Sequence, residues 1–114
     1  MKPLDIPSEV RAGIEAIAAH TSAEQIILFG SRARGDHDEG SDWDLLVIVP
    51  DGTPDARRDR GALMRLSKGS GIEPHPVRRS MFEERKFWNL SLSRAAVEDG
   101  IVVWIREPTA ETTA

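Results

Sequence analysis

Phe29-Gly30-Ser31-Arg32-Ala33-Arg34-Gly35, an acidic loop, then Asp42-Trp43-Asp44-Leu45-Leu46-Val47-Ile48-Val49: this stretch decides how the chain folds. The apolar run Ile26-Ile27-Leu28-Phe29 predicts a buried strand that stops at Gly30. Gly30-Ser31 then opens a short helical turn. Without a Cβ at Gly30 the backbone can approach a ligand closely, and the first N–H groups of the turn favour an anion. The second strand brings Asp42 and Asp44, two residues apart, so both carboxylates face one small volume. Like charges held that close are costly unless a cation sits between them. Oxygen ligands of this kind suit Mg²⁺, held by one or two carboxylates together with the phosphates of a nucleotide. The two pieces together predict a phosphate cradle beside a divalent-metal site.

Gly30-Ser31, a spacer of ten residues and Asp42-x-Asp44 resemble the signature of the polymerase β-like nucleotidyltransferase superfamily. The short chain and the Gly-Ser-Arg-Ala-Arg-Gly wording resemble its minimal nucleotidyltransferase branch, the MNT-domain antitoxins. The likeness runs from about Ile26 to Trp104, and it joins two unrelated elements at the expected separation. It implies a Mg²⁺-dependent enzyme, with two ions, that moves AMP from ATP to a hydroxyl. The MNT branch implies that the hydroxyl is a tyrosine of a partner HEPN-type toxin, with this chain as the antitoxin.

Asp42 and Asp44 are the expected catalytic metal ligands. The resemblance implies a third carboxylate on a neighbouring strand, a few residues before a helix start. Counting back from Ser80-Met81-Phe82-Glu83 places it at Glu73, as a further catalytic and metal-binding residue. The sequence departs from the family pattern there: Glu stands for the commoner Asp, and Pro74 and Pro76 replace apolar strand residues. Ser31 and the backbone at Gly30 are expected to hold the triphosphate. Arg32 and Arg34 compete for a phosphate contact or for pairing with Asp36 and Asp38; within the resemblance Arg34 is the more embedded and Arg32 the more solvent-facing. His75 shares parity with Glu73 and is either a base near neutral pH or a surface histidine.

Composition bounds the rest. At 114 residues the chain predicts one domain over 1–106 with a flexible C-terminal tail over 107–114. No apolar run nears a membrane span, and the first residues lack the apolar core of a secretory signal. With no Cys, disulfides, thiol catalysis and Cys-based zinc sites are excluded, which fits a reducing cytoplasm. A net charge of −4 argues against an extended nucleic-acid surface but not against a nucleotide held through a metal.

Residues 1–5 read as a lead-in. Ile6, Val10, Ile14, Ile17 and Ala18 recur at helical spacing up to Thr21-Ser22, with Asp5 as cap and Pro7 in the first turn. Gln25–Phe29 is the first strand and Trp43–Val49 the second, buried on both faces. Asp36-x-Asp38-x-Gly40-x-Asp42 is not a calcium loop: the Gly is one position early, and Val47 stands where Glu is needed. The loop acids read as solvated. Residues 55–68 predict a charged helix with a stripe of Ala56, Leu63 and Leu66, its Arg57-Arg58-Arg60 cluster facing water. Ile72–Val77, with its two prolines, can only be an edge strand or a broken one. Ser80-x-x-Glu83 predicts a capping box opening a helix that buries Phe82 and Phe87. A last helix over Leu92–Asp99 stops at Gly100, and Ile101–Ile105 is the final strand. The pattern predicts an α/β (α+β) fold with helices packed on a small sheet; the resemblance adds that the sheet is mixed, with the nucleotide site on one exposed side. Two other functions compete with the enzyme: an antitoxin that neutralises its partner by contact alone, and a nucleotide-sensing accessory domain.

Overall fold

Two apolar strands set the architecture, because each has aliphatic side chains on both faces and must be covered twice. They are β1 (Gln25–Phe29) and β2 (Trp43–Val49), paired antiparallel with Ile27 opposite Leu46. The computed structural model describes residues 4–106; the expected tail over 107–114 lies outside the described residues. β3 (Ile72–Arg78) joins β2 in parallel, and β4 (Ile101–Ile105) joins β1 antiparallel, giving the mixed order β3-β2-β1-β4.

One face of this sheet packs Ile26, Leu28, Leu45, Val47 and Val49 against α1 (Ser8–Thr21) and α3 (Arg60–Leu66). From α1 come Val10, Ile14 and Ile17, the predicted stripe; from α3 comes Leu63. On the opposite face Ile27, Phe29, Leu46 and Ile48 lie under Phe82 of α4 (Arg79–Arg85) and Ala96 of α5 (Leu92–Asp99). Each fully buried aliphatic side chain contributes about 1.5–3 kcal/mol relative to exposure, so the two layers hold the strand ends in fixed register. Asp44 shares parity with Leu46 and Ile48 and therefore opens on the second face.

The prolines of β3 do not break it. Trp43 donates its N–H to the Gly71 carbonyl at 2.9 Å, so residues of that parity, Glu73 and His75 included, face β2. Pro74 has the other parity, and its carbonyl accepts from Arg60 Nε at 2.8 Å on the open edge. Both missing N–H groups thus point away from the ladder, where they cost no strand pairing.

Several local expectations are corrected. Pro7 occupies the N-cap position of α1 and no side chain caps it, so Asp5 is not the cap. The helix expected over 55–68 is split: a 3₁₀ turn (Asp55–Arg58) ends at Asp59, whose carboxylate caps α3 through the Ala62 N–H. Ala56 and Leu66 are exposed, leaving Leu63 alone in the core. The Ser80/Glu83 capping box does not form. Asp51 accepts the Ser80 N–H at 2.9 Å, while Glu83 pairs with Arg79 and Lys86. Phe82 is buried as expected, but Phe87 is 72% exposed. Gly100 ends α5 in extended conformation, and its role is space: a Cβ there would stand 2.0 Å from the Ala96 carbonyl oxygen.

Candidate active site

At the end of β1 the backbone of Gly30 takes φ 78° and ψ −158°, a conformation essentially confined to glycine. It leads into α2 (Ser31–Arg34), whose turn closes with Ala33 and Arg34 N–H groups on the Gly30 carbonyl. A Cβ on Gly30 would stand 2.6 Å from Asp44 Oδ2. The glycine therefore makes room for the carboxylate of the next strand as well as for any ligand.

Register places Asp44 at the centre of three strands, opposite Phe29 on β1 and Glu73 on β3. His75 approaches from β3, with Nε2 3.9 Å from Asp44 Oδ1 and its ring 5.8 Å from that of Phe29. Arg60 reaches over the sheet edge to pair with the Glu73 carboxylate. Asp42 lies one residue before β2, in exposed loop rather than in the strand. Its carboxylate still acts on Asp44. Burial pushes the Asp44 carboxyl above its usual range; His75 opposes this, the Asp42 and Glu73 charges add to it, and Arg34 opposes it. Burial likewise lowers His75, helped by Arg60 and resisted by Asp44 and Glu73. Asp44 thus feels the charges of His75, Asp42, Glu73 and Arg34, and His75 those of Arg60, Asp44 and Glu73.

The two arginines are the reverse of the expectation. Arg32 is the more embedded: its guanidinium lies 4.5 Å over the Trp43 ring and donates to the carbonyls of Ser41 and Glu39. It pins the loop that delivers Asp42 and Asp44. Arg34 is the solvent-facing one, bonded to Asp36 at 3.1 Å and within 4.0 Å of Asp99. Those pairings are exposed and weak, so Arg34 can exchange them for a phosphate. Of the loop acids, Asp36 pairs with Arg34 and Asp38 accepts the Gly40 N–H at 2.9 Å; both are spent on local structure. Ser31 sits half-buried beside Gly30.

Sequence reasoning missed Arg32 and Arg60 as positioning groups. Trp43, an aromatic between the two aspartates, was the available signal for Arg32. Nothing local marked Arg60, since its partner is 13 residues away on another element.

Among the described residues, no group of three His, Cys, Asp or Glu side chains is arranged to hold a metal ion. Asp44, with the charge of Asp42 acting on it from the preceding loop, nevertheless fits a small hard cation. Its carboxyl is pushed up by burial and by two neighbouring negative charges, which a cation would relieve. Two carboxylates completed by phosphate oxygens are the usual complement of Mg²⁺.

A family model for the nucleotidyltransferase domain matches residues 11–103. Over 49 residues the chain is 43% identical to a protein of Methanocaldococcus jannaschii named "Putative protein adenylyltransferase MJ0141". That match takes in 43% of this chain and 48% of the relative, about half the relative's length. Among solved structures, one described as a toxin-antitoxin with AMP-PNP superposes with a TM-score of 0.57 at 21% identity. The superposition covers 89% of this chain and 76% of that one, a likeness of fold.

Proposed function

This chain belongs to the nucleotidyltransferase domain family, and we propose that it is a Mg²⁺-dependent protein adenylyltransferase of the MNT branch. It transfers AMP from ATP to a tyrosine of a partner HEPN-type toxin and so acts as the antitoxin, in the cytoplasm where ATP is supplied. The observation that carries the reading is the placement of Asp44, whose carboxylate fills the space left by the missing Gly30 side chain on one side and which stands in register with Glu73 on the other. The relative named a protein adenylyltransferase and the toxin-antitoxin neighbour solved with AMP-PNP support the choice of nucleotide and of a protein acceptor.

Each residue then has a task. Gly30 lets the phosphates approach, and Ser31 donates from its hydroxyl or N–H to a triphosphate oxygen. Arg34 leaves Asp36 to neutralise the phosphates. Asp42 and Asp44 would hold Mg²⁺, with Glu73 as the third carboxylate, and the metal would supply charge neutralisation at the phosphates. Glu73 and His75 face the side from which the acceptor hydroxyl approaches. Incubation with α-labelled ATP, Mg²⁺ and a co-purified partner tests this: label on the partner is the expected result. Tight co-purification without label would favour the contact antitoxin, for which the pairing of Glu73 with Arg60 is the supporting observation.

Two further outcomes are expected. ATP affinity should fall at least tenfold in EDTA and return with Mg²⁺ or Mn²⁺, because the cation relieves the repulsion around Asp44. Equal affinity by calorimetry with and without metal would rule the site out. Gly30→Val should also weaken ATP binding at least tenfold. Its side chain would enter the space of Asp44 Oδ2 and of the phosphates. The positive φ adds a folding penalty of about 1–3 kcal/mol, which lowers the melting temperature while the domain remains folded. A thermal melt and an ATP titration on one sample decide it; intact binding would put the cradle elsewhere.

A further inference from the structure

We propose that β4 pairs antiparallel with the β4 of a second copy of this chain, so that two sheets join edge to edge across a two-fold axis. The sheet has two edges, β3 and β4, and the chain treats them differently. At β3 the edge is blunted. Pro74 and Pro76 turn their nitrogens, which carry no hydrogen, to the outside, and Arg60 Nε occupies the Pro74 carbonyl at 2.8 Å. β4 has no such guard. Ile101-Val102-Val103-Trp104-Ile105 holds no proline, no glycine and no charge, and its outer side is unpaired among the described residues. An apolar edge of this kind is a template for another strand.

The direction of each peptide group follows from the ladder. Trp43 donates its N–H to β3, so Asp44 and Leu46 turn theirs to β1. Their partners Phe29 and Ile27 face β2 in return, which leaves Ile26 and Leu28 facing β4. Opposite these two stand Trp104 and Ile101, which close the inner ladder. Val102, opposite Ile27, and Ile105, opposite Gln25, therefore turn their N–H and C=O groups outward. The Arg106 N–H, bonded to the Glu24 carbonyl at 3.1 Å, agrees with this alternation. Val102 and Ile105 are also the exposed side chains of the strand. Free backbone groups and uncovered aliphatic surface thus coincide at the same two residues.

The strand is complementary to itself. Asp99 precedes it and Arg106 follows it, so antiparallel pairing sets opposite charges near each other at both ends, and aliphatic residues meet aliphatic residues between them. Parallel pairing would set like charge on like. The assembly also closes: once β4 is consumed, both remaining edges are β3 strands, blunted by their prolines, so no further copy adds. The contact is short, and the extra residue Val103 bulges the strand against Ile26, so the dimer is a weak one. Asp44 and Glu73 lie on β2 and β3, away from the joint, and both sites stay open. The inference stands whether or not the chain transfers AMP.

Sedimentation of the whole chain tests this, with the mass of two chains expected at about 200 µM and of one chain at about 2 µM, as suits a small interface. Amide exchange reads the edge itself. At Val102 and Ile105 it should slow at least tenfold from the dilute to the concentrated sample, relative to Trp104, whose amide already sits in the inner ladder. Val102→Pro removes an outward donor and no inner bond, and Ile105→Lys places a charge at the joint. Each should raise the concentration needed for dimers at least tenfold, with a melt of the dilute sample checking the fold. Should Val102→Pro unfold, Ile105→Lys and the exchange measurement decide. One-chain mass at the higher concentration, or wild-type association by the folded variants, overturns the proposal. Masses growing beyond two chains overturn it too, because the β3 edges would then be open. Slow exchange at Val102 and Ile105 at every dilution overturns it in favour of residues 107–114 covering the edge within one chain.

Discussion

Asp44→Asn should lower AMP transfer by three or more orders of magnitude, about 4 kcal/mol in the barrier, and weaken ATP binding at least tenfold, while the domain melts no lower than the wild type. The first two effects follow from position. The Asp44 carboxylate fills the space a Gly30 side chain would take, and it stands in register with Glu73, so both the nucleotide end and the acceptor end of the proposed site depend on it. The third follows from charge. Burial and the Asp42 and Glu73 carboxylates push the Asp44 carboxyl above its usual range, so its ionised form opposes folding when no cation is present. An amide of nearly the same shape removes that opposition. Catalytic groups held at the expense of stability are a common pattern. A melt in EDTA alongside ATP calorimetry and label transfer separates the cases. A variant that loses activity and also melts well below the wild type would make Asp44 a structural residue, and one that keeps its activity would remove it from the site.

The parts of this site that the sequence revealed are those built from neighbours along the chain. Phe29-Gly30-Ser31 and the run Trp43–Val49 carry their geometry in apolar strand residues and in a glycine, so the bounds of β1 and β2 were legible, although Asp42 lies in the loop before β2 and not in the strand that parity assumed. The same holds for α5, capped by Ser91 and stopped at Gly100, and for the apolar run of β4. What failed depended on partners remote in sequence. Ser80 and Glu83 have the spacing of a capping box, yet Asp51 took the Ser80 N–H from another loop. Phe87 has the composition of a core residue and stays exposed because the connection after α4 turns away from the sheet. Arg32 against Arg34 was misjudged because the aromatic face that buries Arg32 belongs to the next strand. Pro74 and Pro76 looked disruptive until the parallel pairing with β2 showed which way their missing donors point.

That pairing sharpens the expectation for Glu73. Because the prolines face the open edge, β3 is not displaced and Glu73 stands directly across from Asp44. Its carboxylate is held by Arg60, on the strand away from Gly30, and in the proposed reaction its contribution belongs to the acceptor half of the site. Glu73→Gln should therefore leave ATP affinity within about twofold, since Asp42, Asp44, Gly30 and Ser31 are untouched. Transfer should fall by two or more orders of magnitude, about 3 kcal/mol in the barrier. A loss confined to kcat is the signature of an interaction made in the transition state rather than in ground-state binding, and it contrasts with the combined loss expected for Asp44→Asn. Arg60→Ala supplies the control, because it frees the Glu73 carboxylate without neutralising it and should retain most of the transfer. Wild-type transfer by Glu73→Gln would make the Arg60 pairing a purely structural link between α3 and the edge strand. A wild type that binds its partner and ATP but never transfers label would leave Glu73 locked by Arg60 as the reason, with neutralisation achieved by contact.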